Sequence, residues 1–268
     1  MSLAMSTCTW APTTFANSRV DSTNLPVEVP DNVTALESWV MPFVERMERL
    51  GLSHLLVAQR WWGSGEEMEG SSLDVLAMTA YFAARTERLH LISAIHPGFF
   101  EATAIAKWGA TMDWLTDGRW SINVTSGWNE REFHMYGIDW LEHDVRYERS
   151  REFIEVLRGA WSHPSFSYDG SFYQADGLVL EPRPSNPLTV YQGGQSNAAI
   201  EMAAHHSDWM FLNGGSLQRI GDIIGRVRGA CESTGRRVRF ALYAIPLVRT
   251  TDKEAWSEID TRIAAIDR

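Results

Sequence analysis

Short apolar runs alternate along the chain with longer segments in which apolar residues recur at helical spacing. The apolar runs predict seven strands, at residues 6–11, 53–58, 89–95, 120–124, 188–191, 209–212 and 238–248. The segments between them predict helices at 73–86, 102–115, 129–136, 144–161, 196–206, 217–233 and 252–266. Strands that alternate with helices in this order are typical of a parallel sheet built from βαβ units.

Two segments add detail to this alternation. Apolar residues at helical spacing predict a helix over 34–50, with Pro42 distorting its first turns and Gly51 ending it. Asp169 and Gly170 lie between alternating aromatic residues and predict a small hairpin, an excursion from the sheet over about 163–176.

The strand count predicts an α/β barrel of the TIM (β/α)8 type, formed as one domain over residues 1–268. A closed barrel needs eight strand–helix units, whereas the pattern ends after the seventh helix, so we expect a barrel that lacks its last βα unit. An open barrel exposes sheet edges and part of its core. Three explanations stay open: a fragment, a partner that closes the gap, or a degenerate relative.

Composition narrows the classes of function. The net charge of -10 disfavours nucleic-acid binding, which needs clustered basic residues. Cys8 and Cys231 show neither metal-ligand spacing nor a disulfide framework, as is typical of reduced thiols in the cytosol. Neither a signal peptide at residues 1–12 nor an apolar run of membrane-spanning length is evident, so we expect a cytoplasmic protein without a membrane partner. The chain has 12 Trp residues, which predicts that many indole rings line a core, an interface or a pocket.

Polar and aromatic residues directly follow several predicted strands. In parallel barrels the active site forms at the C-terminal ends of the strands, so we expect these residues to share one face. They are Gln59, Arg60, Trp61, Trp62, His96, Phe99, Phe100, Ser126, Trp128, Asn213 and Gly214. Aromatic rings with amides, glycines and few charges suit a large, planar, partly polar ligand.

The run at 193–196, Gly-Gly-Gln-Ser, joins a predicted strand to a predicted helix. Glycines let the backbone approach a ligand closely, and Ser196 at the helix start offers a hydroxyl beside free N–H groups. The run is therefore a candidate phosphate site, and a plain strand-to-helix turn with an N-cap serine also explains it. Arg146 and Tyr147, near the start of the long helix, either supply a second phosphate contact or lie on a solvated helix face.

His96, His134 and His143 are candidate acid–base groups or ordinary loop and surface histidines. No pair of histidines has the spacing of metal ligands on one helix, and no zinc motif is present, so we predict no metal site. The sequence also has no G-x-S-x-G or Walker motif and no G-x-G-x-x-G after a strand. This disfavours serine hydrolases, P-loop nucleotide enzymes and nicotinamide-binding Rossmann enzymes.

A long series of motifs supports a specific resemblance. The series is Asn123-Val124-Thr125-Ser126-Gly127-Trp128, Arg146-Tyr147, Phe172-Tyr173, Pro182-Arg183-Pro184 and Gln192-Gly193-Gly194-Gln195-Ser196. In order and spacing it resembles the luciferase-like flavin-dependent monooxygenases, and within them the dimethyl sulfone monooxygenases. Pyrimidine oxygenases and alkanesulfonate monooxygenases look like more distant relatives. The resemblance runs from the first predicted strand to the end of the chain and is strongest over 118–214.

The resemblance implies a cofactor, a reaction and partners. The implied cofactor is FMN, used as FMNH2 and supplied by a separate NAD(P)H-dependent flavin reductase that binds transiently, with O2 as co-substrate. The implied reaction inserts one oxygen atom from O2 into a small organosulfur compound of the sulfone kind, or into another apolar substrate. Family members are usually homodimers or homotetramers, so we expect the same of this chain.

By position, the resemblance also assigns residues to roles. The cofactor-binding candidates are Gln59, Arg60, Asn123, Glu132, Arg146, Tyr147, Gly194, Gln195 and Ser196. The catalytic candidates are His96, Asn123 and Trp128. Candidates for the substrate side are Trp10, Trp61, Trp62, Phe99 and Phe100, for which packing at the barrel mouth without substrate contact stays open.

Departures from the family pattern keep alternatives open. Ala94 stands where pyrimidine oxygenases carry a polar residue, which disfavours a pyrimidine substrate. Trp61, Trp62 and His96 do not match the sulfone pattern, so a bulkier or aromatic substrate stays open. Two other functions also remain: a deazaflavin-dependent dehydrogenase on the same barrel, and a truncated, non-catalytic paralogue that binds flavin or only dimerises.

Overall fold

Strands and helices alternate along the described part of the chain. The computed structural model describes residues 14–15, 36–61, 71–243 and 247–266. Its strands are β1 (Thr14–Phe15), β2 (His54–Val57), β3 (Ser71–Ser72), β4 (His90–Ile95), β5 (Trp120–Val124), β6 (Phe166–Asp169), β7 (Gln174–Leu178), β8 (Val190–Gly193), β9 (Trp209–Leu212) and β10 (Arg239–Leu242). Its α-helices are α1 (Met41–Arg49), α2 (Val75–Arg85), α3 (Ala102–Thr116), α4 (Glu130–Met135), α5 (His143–Ser162), α6 (Asn197–His206), α7 (Leu217–Glu232) and α8 (Asp252–Ile266). A π-helical turn (Leu36–Val40) precedes α1, and a 3-10 turn (Pro97–Phe99) follows β4.

Six strands form one parallel sheet in the order β10-β9-β8-β5-β4-β2. This order follows the chain, with two antiparallel pairs outside the sheet, β6 with β7 and β1 with β3. Helices flank the curled sheet, so the predicted α/β barrel is confirmed, and the described residues contribute these six strands to it. The remaining predicted strand, at 6–11, lies outside the described residues.

Most predicted bounds agree with the structure, and two strands differ. β5 and β9 coincide with the predicted 120–124 and 209–212. β8 begins at Val190, later than predicted, because its pairing starts where Ile122 of β5 lies opposite. β10 has four residues and not the predicted 238–248, because Leu242 already pairs with Leu212, the last residue of β9.

Local sequence explains where several helices begin and end. Pro42 is the second residue of α1 and follows directly on the π-helical turn Leu36–Val40, so the first turns of this helical segment depart from regular α geometry, as predicted. Gly51 takes the left-handed conformation that ends this segment, with φ of 80°. Asp74 caps α2 by accepting a hydrogen bond from the backbone N–H of Ala77 at 2.8 Å. Gly118, with φ of 81°, turns the chain from α3 into β5.

The two faces of the parallel sheet bury different sets of side chains, because alternate strand residues point to opposite faces. One face packs with the helices into the main core, which includes Leu55, Val57, Leu91, Ile95, Ile122, Val124 and Val190. The concave face carries a second cluster, comprising Leu56, Ile92, Ala94 and Tyr191 with Trp209 and Phe211 packed on it. This aromatic cluster lines the concave face of the sheet, and the loops that follow the carboxyl ends of the strands lie at its edge. Among the described helices, none combines the length and the apolar character that crossing a membrane requires.

Candidate functional site

A buried ion pair joins the loop after β2 to the first turn of α4. Arg60 Nε donates a hydrogen bond to Glu132 Oε1 at 2.9 Å. The two side chains are only 4% and 2% exposed. The same carboxylate oxygen accepts the backbone N–H of Trp61 at 3.2 Å, and the Arg60 guanidinium lies 4.7 Å from the centroid of the Trp128 ring. The structure thus brings four sequence-predicted site residues together.

Trp61 and His96 form a second contact at this edge of the sheet. The indole Nε1 of Trp61 donates a hydrogen bond to His96 Nδ1 at 2.8 Å. The Trp61 ring is stacked on Phe99, with centroids 4.1 Å apart and 6° between the planes. His96 is buried, and burial, together with the nearby Arg60 guanidinium, lowers the pKa of His96 from 6.5 to about 4. The imidazole is therefore neutral near neutral pH.

Further aromatic side chains extend this contact into a wall. The Phe99 ring lies 4.8 Å from Phe133 and 5.6 Å from Tyr136, in both cases edge to face. Tyr136 also meets the edge of Trp61 at 5.2 Å. Such edge-to-face pairs fix the rings relative to one another, and they leave an apolar surface beside His96.

Asn123 places a polar group on the concave face of β5. It pairs in register with Ala94 of β4 and Tyr191 of β8. Its Nδ2 donates a weak hydrogen bond to Thr125 Oγ1 at 3.3 Å, whereas its buried Oδ1 has no hydrogen-bond partner among the described residues. Buried polar atoms are nearly always paired in native proteins, so this oxygen is a position that a ligand would satisfy.

The loop between β8 and α6 packs against the start of α5. Ser196 caps α6 by accepting the N–H of Ala199 at 3.2 Å. Gly194 has φ of 113°, and a Cβ there would lie 2.6 Å from Tyr147 Oη. Burial raises the pKa of Tyr147, and a hydrogen bond with Ser196 opposes that rise. Gly194, Ser196 and Tyr147 therefore form one compact corner beside a helix N-terminus.

Arg146 reaches the same end of α5 from its first turn. Its guanidinium lies 3.8 Å from the centroid of the Trp140 ring, and Nη1 donates a hydrogen bond to the Leu141 carbonyl at 2.5 Å. The residue is buried, and its Nε has no partner in the described part of the chain. A buried guanidinium whose Nε–H has no hydrogen-bond partner is suited to bind an anion.

Arg149 was not predicted as a site residue, yet it resembles Arg146 in its surroundings. It is buried one turn further along α5, over the ring of Phe133 at 5.6 Å, and its Nε has no partner within the described ranges. Burial lowers the pKa of Arg149. The spacing of three residues from Arg146 puts both on one helix face, which is the sequence signal that would have identified it.

The two predicted glutamines, Gln59 and Gln195, differ in whether their side-chain amides have unused hydrogen-bonding atoms. Gln59 is buried with both ends of its amide engaged, since Oε1 accepts the N–H of Val75 at 2.7 Å and Nε2 donates to the Arg60 carbonyl at 2.7 Å. Gln59 therefore anchors the start of α2. Gln195 Oε1 accepts from Arg219 Nη2 at 3.0 Å, whereas its buried Nε2 has no partner among the residues described.

The other predicted residues have separate placements. Phe100 packs against the main core. Trp128 is 57% exposed. Trp10 and Trp62 lie outside the described residues. His134 and His143 have side chains 61% and 49% exposed, which fits surface histidines and not buried acid–base groups. Tyr136 and Trp140 were missed because neither follows a strand.

Comparison with known proteins adds family relationships to this geometry. The family model described as luciferase-like monooxygenase matches residues 34–267. An FMNH2-dependent dimethylsulfone monooxygenase from Pseudomonas fluorescens is 39% identical over 209 residues, covering 78% of this chain and 57% of the relative. One from Pseudomonas putida is 36% identical over 237 residues, covering 86% and 64%. A pyrimidine monooxygenase from Allorhizobium ampelinum is 26% identical over 223 residues, covering 80% and 61%.

Solved structures agree in fold. A riboflavin lyase, determined with modified FMN and riboflavin, superposes with a TM-score of 0.78 at 19% identity, covering 92% of this chain and 64% of that one. An EDTA monooxygenase from a Chelativorans species gives a TM-score of 0.76 at 20% identity, covering 93% and 64%. The chain spans between 57% and 64% of the length of the curated relatives it matches.

Proposed function

Because the chain belongs to the luciferase-like monooxygenase family, we propose that it is a flavin-dependent monooxygenase that uses reduced FMN and O2. The observation that carries this proposal is the buried Oδ1 of Asn123, which has no partner in the described part of the chain and lies on the concave face beside the aromatic cluster that contains Tyr191. An amide oxygen in that position accepts a hydrogen bond from the polar edge of a flat ring system. The aromatic cluster suits the ring itself.

The residues present fit the phosphate end of FMN as well as its ring. Ser196 at the start of α6, the Tyr147 hydroxyl and the Arg146 guanidinium offer hydrogen-bond donors of the kind that hold a phosphate. Gly194 supports this assignment, because any side chain there would press on Tyr147 Oη. Reduced FMN, when bound, would supply the electrons that activate O2.

The chain's own residues orient the ligands and exclude water. The buried pair of Arg60 and Glu132 ties the β2 loop to α4 and holds Trp61 by its backbone N–H. The wall of Trp61, Phe99 and Tyr136 would shield the buried His96 from water when a ligand covers it. His96, being neutral, offers a hydrogen bond without bringing a charge.

We infer a small, neutral organosulfur compound of the sulfone kind as the substrate. The dimethylsulfone monooxygenases that the chain resembles support this class, as does the wall of Trp61, Phe99 and Tyr136, whose rings are uncharged. As partners we propose a separate flavin reductase and a second copy of the chain, in a homodimer or homotetramer. The cytoplasmic location remains an expectation from the sequence.

Binding and turnover test this function separately. Flavin fluorescence measures FMN binding to the full chain, with FMNH2 titrated under anaerobic conditions. We expect a dissociation constant well below about 100 μM, which corresponds to only about 5 kcal/mol and is little for so large a ligand. Weaker binding of both forms contradicts the proposal.

Oxygen uptake with a flavin reductase and a panel of sulfones, sulfonates and aromatic compounds then identifies the substrate class. We expect uptake coupled to consumption of sulfones. Hydride transfer from a substrate to an oxidised deazaflavin, without oxygen uptake, identifies the dehydrogenase alternative. Tight FMN binding without turnover of any compound identifies a non-catalytic flavin-binding protein.

A further inference from the structure

Trp61 and His96 meet through a hydrogen bond whose direction is fixed by chemistry. The indole N–H of Trp61 is a donor only, so His96 Nδ1, at 2.8 Å, must be the acceptor and carry no proton. The neutral imidazole then holds its proton on Nε2. If His96 Nδ1 were protonated, its N–H would face the N–H of Trp61 and the hydrogen bond would be lost. The hydrogen bond therefore disfavours the imidazolium form of His96.

The surroundings of His96 act in the same direction. Burial lowers its pKa to about 4, and the Arg60 guanidinium adds to this effect. Among the described residues, the other charged or titratable groups in contact with Arg60 or Trp61 include Glu132, which is bound to Arg60, and Tyr136, which packs against the edge of the Trp61 ring. None of these groups accepts a proton from His96 or shares one with it in the hydrogen bonds described.

His96 also lies on the ligand side of the sheet. Its backbone is still extended, with φ of -99° and ψ of 105°, so side-chain alternation continues past the end of β4. His96 therefore faces the same way as Ala94, and Ala94 is the register partner of Asn123. Nε2 makes no hydrogen bond to any residue of the described ranges.

We propose that Trp61 is a positioning residue that holds His96 as its Nε2–H tautomer, and that His96 donates this N–H to an oxygen atom of the substrate, such as a sulfonyl oxygen. The role as substrate donor rests on the proposed function, whereas the tautomer does not. No proton is transferred, because His96 stays neutral throughout. A sulfonyl oxygen is an uncharged acceptor. It matches the uncharged Nε2–H donor of His96, which lies beside the stacked rings of Trp61 and Phe99.

Nuclear magnetic resonance of the flavin-free full chain, labelled with nitrogen-15 in its histidines, tests the tautomer. The chain has 8 histidines, so the His96 signals are assigned by their loss in His96→Gln. We expect a protonated Nε2, an unprotonated Nδ1, and no titration from about pH 8 down to about pH 5. A protonated Nδ1, or an ordinary pKa of about 6.5, overturns the proposal.

Two variants separate the hydrogen bond from the packing. Trp61→Phe keeps a ring against Phe99 and removes the N–H, so we expect His96 to titrate at higher pH and to populate both tautomers. Tyr136→Phe alters the same aromatic wall without touching that bond, and the tautomer should not change. If Trp61→Phe does not fold, the spectrum of the unchanged chain still decides the tautomer. Equal spectra for Trp61→Phe and the unchanged chain contradict the positioning role.

Adding dimethyl sulfone to the FMN-bound protein tests the donor role. We expect the Nε2–H signal to shift and the signals of the exposed His134 to stay in place. In turnover assays, His96→Leu should raise KM for the sulfone about tenfold, the effect of one lost hydrogen bond, with kcat much less affected. His96→Gln places an amide donor near the position of Nε2 and should recover part of that loss. An unshifted Nε2–H signal at saturating sulfone overturns the donor role and leaves the flavin function intact.

Discussion

Arg60 and Glu132 lie 72 positions apart in the chain, yet Arg60 Nε donates to Glu132 Oε1 at 2.9 Å inside the protein. Both partners of a buried ion pair lose their water, so removing one partner from the interior is costly. The carboxylate also holds the backbone N–H of Trp61. Stability and the geometry of the aromatic wall therefore depend on one side chain.

Replacing Glu132 with Ala should destabilise the fold strongly. We expect a loss of about 3–5 kcal/mol, because a buried ion pair between side chains only 4% and 2% exposed loses one partner. Urea unfolding followed by circular dichroism measures it. The matched control is Arg49→Ala, which removes a 3.9 Å pair with Glu45 whose side chains are 66% and 46% exposed, and should change little. If the double variant Arg60→Met with Glu132→Leu is no more stable than Glu132→Ala, the ion-pair explanation is wrong.

Arg146 should bind the flavin phosphate. Its Nε has no partner among the described residues, so Arg146→Ala removes a charged donor without breaking an ion pair. We expect FMN affinity to fall about tenfold to a hundredfold, the effect of one charge-assisted hydrogen bond, in a variant that still folds but melts at a lower temperature because its contacts with Trp140 and Leu141 are lost. Arg151→Ala is the control on the same helix, since that side chain is 43% exposed and paired with Glu155. Equal losses in the two variants would refute a specific phosphate contact.

Gly194→Ala should damage the corner formed with Tyr147. The backbone there has φ of 113°, which side chains rarely adopt, and a Cβ would approach Tyr147 Oη to 2.6 Å. We expect a stability loss of about 1–3 kcal/mol and weaker FMN binding, measured by thermal melting and flavin fluorescence. Gly193→Ala is the control, because a Cβ at Gly193 meets nothing within 4 Å. Comparable effects at the two positions would show that the corner is not specifically packed.

Stability should decrease as the pH falls below about 6.5. Burial lowers the pKa of His96, His90 and His206 to about 4 in the folded chain. The unfolded chain therefore binds protons first, so the stability present above about pH 6.5 is lost progressively towards pH 4. Urea midpoints between about pH 7 and about pH 5 test this, above the range where carboxylates titrate.

A histidine variant tests the same pH dependence one group at a time. His96→Gln should reduce the slope of unfolding free energy against pH by up to about 1.4 kcal/mol per unit. The control is His134→Gln, because the His134 side chain is 61% exposed and makes none of the buried contacts of His96, and the slope of His96→Gln is compared with the slope of this variant. A slope that His96→Gln does not alter would mean that His96 is not a proton-free group in the folded chain.

The sequence by itself determined the order and kind of the elements. A short apolar run predicts a buried strand and helical spacing of apolar residues predicts a helix, and for that reason 120–124 and 209–212 were predicted with their observed bounds. The same reasoning placed Asn123, His96 and Ser196 at strand ends and helix starts, where parallel sheets form their sites. Strand length was less predictable, since β10 ends where its neighbour β9 ends.

Only the tertiary structure decided which atoms meet. No local pattern shows that Glu132 accepts a hydrogen bond from Arg60 or that Trp61 donates one to His96. Nor does any local pattern show that Gln59 Oε1 accepts the backbone N–H at the start of α2. Hydrogen bonds join groups from distant parts of the chain, and their direction depends on where the curled sheet brings each loop. The same holds for Arg149, because its helix face was predictable, whereas its packing over Phe133 of α4, with an Nε that has no partner among the described residues, was not.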